Sequence, residues 1–211
     1  MTELRARFNG PNGPFLAVSA AAFVALCIFS FGVQNGKTYS WDRGFVSFFD
    51  EHYYDLDTVR AVTKATVKVT IVLGVAFAAS LLVVLVRARA YRRAAFWGLA
   101  VGGAVVLTRV LKEAIERPEI GLRQAEYSFP SGNATVSLAG VVALVLLLPP
   151  SRLRRWIALA GAVAIPLYGL ALVILLWHYP SDVVAGWALA ICWVLALWFA
   201  FGTSPTVRRL P

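Results

Sequence analysis

Near the end of the chain an imidazole and a carboxylate stand four positions apart, in Trp177-His178-Tyr179-Pro180-Ser181-Asp182. Pro180 suits the first position of a helix, where a missing N–H costs nothing and φ is already helical. That puts Asp182 in the first turn and His178 at the junction. A carboxylate so placed can bind one imidazole nitrogen and fix the tautomer, leaving the other nitrogen to act as base or nucleophile. The same spacing also fits a plain helix cap beside an interfacial histidine. In a second stretch, Tyr127-Ser128-Phe129-Pro130-Ser131-Gly132-Asn133, Pro130 stops one element and Ser131, Gly132 and Asn133 open a helix. Free first-turn N–H groups and the helix dipole attract an anion there, and Gly132 lets an anionic oxygen approach the backbone. Ser-Gly-Asn is equally an ordinary helix start. In the third, residues 108–118, Lys112 and Glu116 are one turn apart, as are Arg109 and Glu113. These are either surface ion pairs or, with Lys112 and Arg117, a cationic clamp for a phosphate.

The elements that must position these groups are hydrophobic. Of the 211 residues 59% are apolar, and the excess falls in runs of roughly 20 residues, the length that crosses a hydrocarbon core. The runs cover 15–33, 66–86, 94–111, 131–148, 156–177 and 181–201. The first, though preceded by Arg5 and Arg7, has a poor cleavage site and reads as a retained anchor. Pro166 falls inside the fifth and predicts a kink. Trp97, Trp156, Trp177 and Trp198 sit near run ends and read as interfacial anchors. Cys27 and Cys192 lie inside apolar runs without a Cys or His neighbour at ligand spacing, and read as small buried hydrophobes. The expectation is an all-α, six-transmembrane-helix bundle, a single membrane domain over 1–211.

The net charge of +9 is segregated by loop, which argues against nucleic acid as its reason. Residues 1–14, 87–93, 149–155 and the tail from Gly202 hold Arg5, Arg7, Arg87, Arg89, Arg92, Arg93, Arg152, Arg154, Arg155, Arg208 and Arg209, with Glu3 as their only acid. Short arginine-rich loops stay in the cytoplasm. Six spans with both termini cytoplasmic satisfy this at every loop. The loop 34–65 then lies outside. There Trp41, Phe45, Phe48, Phe49, Tyr53 and Leu56 recur at helical spacing between Asp42, Asp50, Glu51, Asp55 and Asp57. This predicts a short interfacial helix with an acidic polar face, or an ordinary cap over the helix ends. All three chemical stretches fall on that outer side, and polar groups at bilayer depth point to function. A transporter is disfavoured, since no discontinuous segments occur in matching halves.

In this order and topology the three stretches resemble the type 2 phosphatidic acid phosphatase superfamily, which also includes the vanadium haloperoxidases. Its pattern is Lys followed by Arg-Pro, then Pro-Ser-Gly-His, then Ser-Arg leading to His-x-x-x-Asp. Lys112, Pro130-Ser131-Gly132, His178 and Asp182 match it, within a phosphatase-like core at 94–201. The resemblance implies that His178 attacks phosphorus to form a phosphohistidine, that Asp182 orients it, and that Lys112, Ser131 and Gly132 hold phosphate oxygens. Arg117 and Asn133 complete the expected phosphate cradle. It implies no metal and no cofactor. The implied partners are a membrane lipid phosphate and the bilayer of the plasma (cell inner) membrane, with the site extracytoplasmic.

The pattern is incomplete. Asn133 stands where the family has its general-acid histidine. Counting from Lys112, the Arg-Pro pair falls on Glu119-Ile120, with Arg117-Pro118 two residues early. Counting back from His178, Ser-Arg falls on Ala171-Leu172. Arg109, Arg117 or Arg123 could replace one lost arginine. General acid catalysis contributes about 10²–10⁴-fold, and Asn cannot transfer a proton. The loss weighs most for an alkoxide leaving group and least for a phosphate leaving group. The expectation is therefore a lipid phosphatase that prefers diphosphates such as a polyprenyl diphosphate. The alternative is an inactive relative that binds a lipid phosphate headgroup or serves as a membrane subunit of a larger complex.

Overall fold

The computed structural model describes residues 13–53, 56–115, 117 and 128–202. They form seven helices: α1 (Gly13–Gln34), α2 (Tyr39–Tyr53), α3 (Asp57–Arg87), α4 (Tyr91–Ala114), α5 (Gly132–Leu147), α6 (Arg152–Ile174) and α7 (Pro180–Gly202). Among the described residues there is no strand. Five helices, α1, α3, α4, α6 and α7, are long and apolar enough to cross a membrane. The fourth apolar run becomes α5, which is apolar but only 16 residues long, about 24 Å. The outermost arginines, Arg5, Arg7, Arg208 and Arg209, lie outside the described residues.

Large side chains on α1, α3 and α6, among them Phe23, Phe31, Val72, Leu73, Val163 and Leu167, are exposed. In water such a surface would associate; around a membrane bundle it is the face that lipid covers. Inside, α7 packs mainly against α1 and α5, and α5 also against α4 and α6. The helices approach closely because the contacts are small residues, as is usual in membrane bundles. Ala100 and Ala104 of α4, Ala139 and Ala143 of α5 and Ala190 of α7 are fully buried together. A Cβ added at Gly103 would stand 2.5 Å from Trp193, and one at Gly161 would stand 2.5 Å from Val141.

Three helices end in the same way. After α1, Lys37 N–H donates to Gly32 O and Gly36 N–H to Val33 O, with Gly36 at φ 68°. After α3 and α6 the same pair of bonds forms around Arg89 (φ 56°) and Leu176 (φ 54°). This Schellman ending usually places glycine in the left-handed position; only α1 has one. The third of these turns stops α6 at Ile174, three residues before the expected end, and releases Trp177 and His178 from the helix. The helix is continuous through Pro166.

Two residues differ from their expected placement. Trp97 is 2% exposed and donates its indole N–H to Ala78 O at 3.0 Å, because α4 begins at Tyr91 and carries Trp97 well inside, against α3. Cys27 is a free thiol on the exposed face of α1 rather than a buried one. The helix expected in the loop 34–65 is α2. Trp41, Phe45 and Phe48 are outward and partly exposed, whereas Phe49 and Asp42 are buried. Asp42 was expected on a solvated acidic face. It shares instead the stripe of Val46 and Phe49, which packs on Tyr179 and the end of α6.

Candidate functional site

The start of α7 organises the site. Tyr179 precedes Pro180, and its backbone N–H donates to Asp182 Oδ2 at 3.0 Å. This is the reach-back half of a capping box: a carboxylate at the third helical position satisfies the N–H that the helix start leaves open. The same Oδ2 lies 3.6 Å from His178 Nδ1, close enough for ion pairing but longer than a hydrogen bond. His178 is 9% exposed and Asp182 is fully buried. The expected imidazole–carboxylate pair is therefore present, with Nδ1 toward the acid.

Arg117 reaches the same carboxylate. Its Nη1 donates to Asp182 Oδ1 and to Ser181 Oγ, the latter at 2.8 Å, and its Nη2 donates to Asp42 Oδ2 at 2.6 Å. The guanidinium carbon lies 3.9 Å from the centre of the Tyr179 ring. Asp42 closes the arrangement from α2: Oδ1 accepts the Ser181 backbone N–H at 3.1 Å and Oδ2 accepts the Ser181 hydroxyl at 2.8 Å. The side chains of Arg117, Asp42 and Asp182 are all inaccessible to solvent. Two carboxylates at a helix N-terminus are favoured by its dipole, and one guanidinium balances one of them. Removing one partner from such a buried pair costs about 3–5 kcal/mol, so Arg117 is firmly committed to its two acids.

The Ser-Gly turn joins at Asp182, whose carbonyl accepts the Ser131 N–H at 2.9 Å. Ser131 caps α5 by accepting from Ala134 N–H at 3.4 Å, and Thr135 donates to Ser131 O at 2.7 Å. Gly186 lets α7 lie this close: a Cβ there would fall 2.7 Å from Ser131 O and 2.9 Å from Thr135 Oγ1. Gly132 and Asn133 occupy the first turn of α5, partly exposed, with N–H groups that have no acceptor within the helix. Lys112, half-buried on the last turn of α4, is within Coulombic range of Asp182. Arg109 is exposed. Leu172, which counting back from His178 puts at the family's arginine position, is fully buried among Phe49, Val67, Val173 and Val183. Glu116, Glu119, Ile120, Arg123 and Tyr127 lie outside the described residues.

A profile of the PAP2 superfamily matches residues 93–205. The chain belongs to that superfamily. Its matched segment holds Lys112, Arg117, Ser131, His178 and Asp182, and the Ser131–Asp182 link joins two of the three motif stretches. In sequence the chain is 28% identical over 88 residues to an undecaprenyl-diphosphatase of Sulfolobus acidocaldarius, a match covering 42% of this chain and 40% of that relative. In fold it is similar to the crystal structure described as the first transmembrane PAP2 type phosphatidylglycerolphosphate phosphatase from Bacillus subtilis. That likeness has a TM-score of 0.65 and 22% identity, covering 89% of this chain and 98% of the other. Asp42 and Ser181 were not singled out from sequence. Asp42 left one signal, an acid in register with Val46, Phe49 and Tyr53 on one helical stripe.

Proposed function

We propose that this PAP2 protein is a lipid phosphatase that removes phosphate from a lipid diphosphate in preference to a lipid monophosphate, through a phosphohistidine at His178. The observation that carries this reading is the His178–Asp182 pair at 3.6 Å, buried against the turn that opens α5. With Nδ1 toward Asp182, Nε2 is the attacking atom. A P–N bond forms as the P–O bond to the leaving group breaks. Water then attacks phosphorus, the P–N bond breaks, and inorganic phosphate leaves with the imidazole restored. Lys112, Ser131, Gly132 and Asn133 hold the phosphoryl oxygens. Arg117 stands behind them, its charge shared between Asp42 and Asp182.

The diphosphate preference rests on Asn133. A lipid monophosphate leaves as a stable anion without help, whereas an alkoxide needs a proton that Asn cannot give. The buried, apolar surroundings of Leu172 favour a second reading, an inactive relative that binds a lipid phosphate headgroup or serves as a subunit, because they remove a cation that would stabilise the transferring group. In the membrane we place six spans, counting α5, with both termini in the cytoplasm and the site on the extracytoplasmic face of the plasma membrane, which agrees with the arginine-rich loops.

Purified protein offered polyprenyl diphosphate, diacylglycerol diphosphate and phosphatidate, with His178→Ala alongside, separates the two readings. Phosphate release that the variant loses, fastest on the diphosphates, is expected. Equal background release from both proteins would end the enzyme reading.

A further inference from the structure

We infer that Asp42 is a positioning residue of this site, acting through Arg117 and Ser181 on Asp182 and His178. This rests on the reading of His178 as nucleophile. Asp42 belongs to α2, outside the segment 93–205 that the superfamily profile matches. It is nevertheless fully buried and accepts three hydrogen bonds, two from Ser181 and one from Arg117. A buried carboxylate with both oxygens occupied has a defined place, since any unpaired orientation would strand its charge.

The consequence reaches the imidazole. Arg117 is fork-shaped: one nitrogen is on Asp42 and the other on Asp182, so fixing the first fixes the second. Ser181 is held to Asp42 by both its N–H and its hydroxyl, and it sits between His178 and Asp182 in the chain. Asp182 is thus held by Arg117 at Oδ1, by Tyr179 N–H at Oδ2 and by Ser131 N–H at its backbone carbonyl, and Oδ2 faces His178. Removing Asp42 leaves Arg117 on Asp182 and Ser181, which draws the Asp182 carboxylate away from the ring. The outer-loop helix is thus part of the site rather than a cover over it.

The test compares parent, Asp42→Asn and Ser181→Ala, purified in detergent and confirmed folded by circular dichroism at the assay temperature. Two readouts are taken: steady-state hydrolysis of polyprenyl diphosphate, and the rate of diethylpyrocarbonate modification at each histidine by mass spectrometry. The chain has 2 His, and His52, exposed on α2, is the internal reference. Positioning predicts at least a tenfold fall in kcat for Asp42→Asn with KM within threefold, a smaller fall for Ser181→Ala, and at least a threefold change in the His178-to-His52 labelling ratio. Where Asp42→Asn does not fold, Ser181→Ala decides by the same criteria. A folded variant with kcat within twofold of the parent, or with an unchanged labelling ratio, overturns the inference. A parent without His178-dependent turnover sinks the underlying reading instead, and the labelling ratio alone then decides the role of Asp42.

Discussion

His178 and Asp182 were legible in the sequence because they stand four positions apart across the start of α7, which brings them near each other locally. The 3.6 Å separation leaves the ring held but not locked, so the carboxylate is needed to keep the tautomer that exposes Nε2. Asp182→Asn should lower kcat by roughly 10²–10⁴-fold while the protein still folds, measured as phosphate release from a lipid diphosphate. Asn133→His should raise turnover of phosphatidate by as much as about 10²-fold and leave diphosphate turnover nearly unchanged. No gain would mean that the missing acid is not the limiting defect. Asp42 could not be read in the same way. Its hydrogen-bonding partner Ser181 is 139 positions away, and its one local signal, a place on the stripe of Val46 and Phe49, names no partner for it.

Among the elements, hydrophobic runs gave the helices and missed their ends. The end of α1 is marked by Gly36, but the same turn after α6 is made by Leu176, whose type signals continuation. A left-handed leucine costs on the order of 1–2 kcal/mol, offset here by its packing against Tyr179 and the neighbouring apolar cluster. The start of α5 was legible, since Pro130 and Ser131 announce it, but the closeness of α5 to α7 was not, because it depends on the absence of a side chain at Gly186. Gly186→Ala should destabilise the protein by about 1–3 kcal/mol, seen as a lower unfolding midpoint in detergent. It should also lower turnover, since Ser131 would be pushed from Asp182. An unchanged midpoint would show that the helices can separate freely there.

At the scale of the molecule, the sequence carries its orientation in charge. Arginine clusters at 87–93 and 149–155 are expected inside, and α2 with the site outside. In a background lacking Cys27 and Cys192, Glu51→Cys should react with a membrane-impermeant maleimide on intact cells. Ala88→Cys, exposed in the turn after α3, should react only after permeabilisation. The reverse pattern would put the site in the cytoplasm and remove outer-leaflet lipids as its substrates. The exposed apolar surfaces of α1, α3 and α6 and the aromatic row Trp41, Phe45 and Phe48 fit a bundle set in a bilayer.

The proposed covalent step is open to direct observation. Purified protein mixed with a terminally ³²P-labelled polyprenyl diphosphate and quenched in alkali, where phosphohistidine survives, should carry label on His178 and on no other residue. Labelled protein should form and decay at rates compatible with turnover. Release of phosphate with no labelled His178 at any time, or equal release from His178→Ala, would contradict the account.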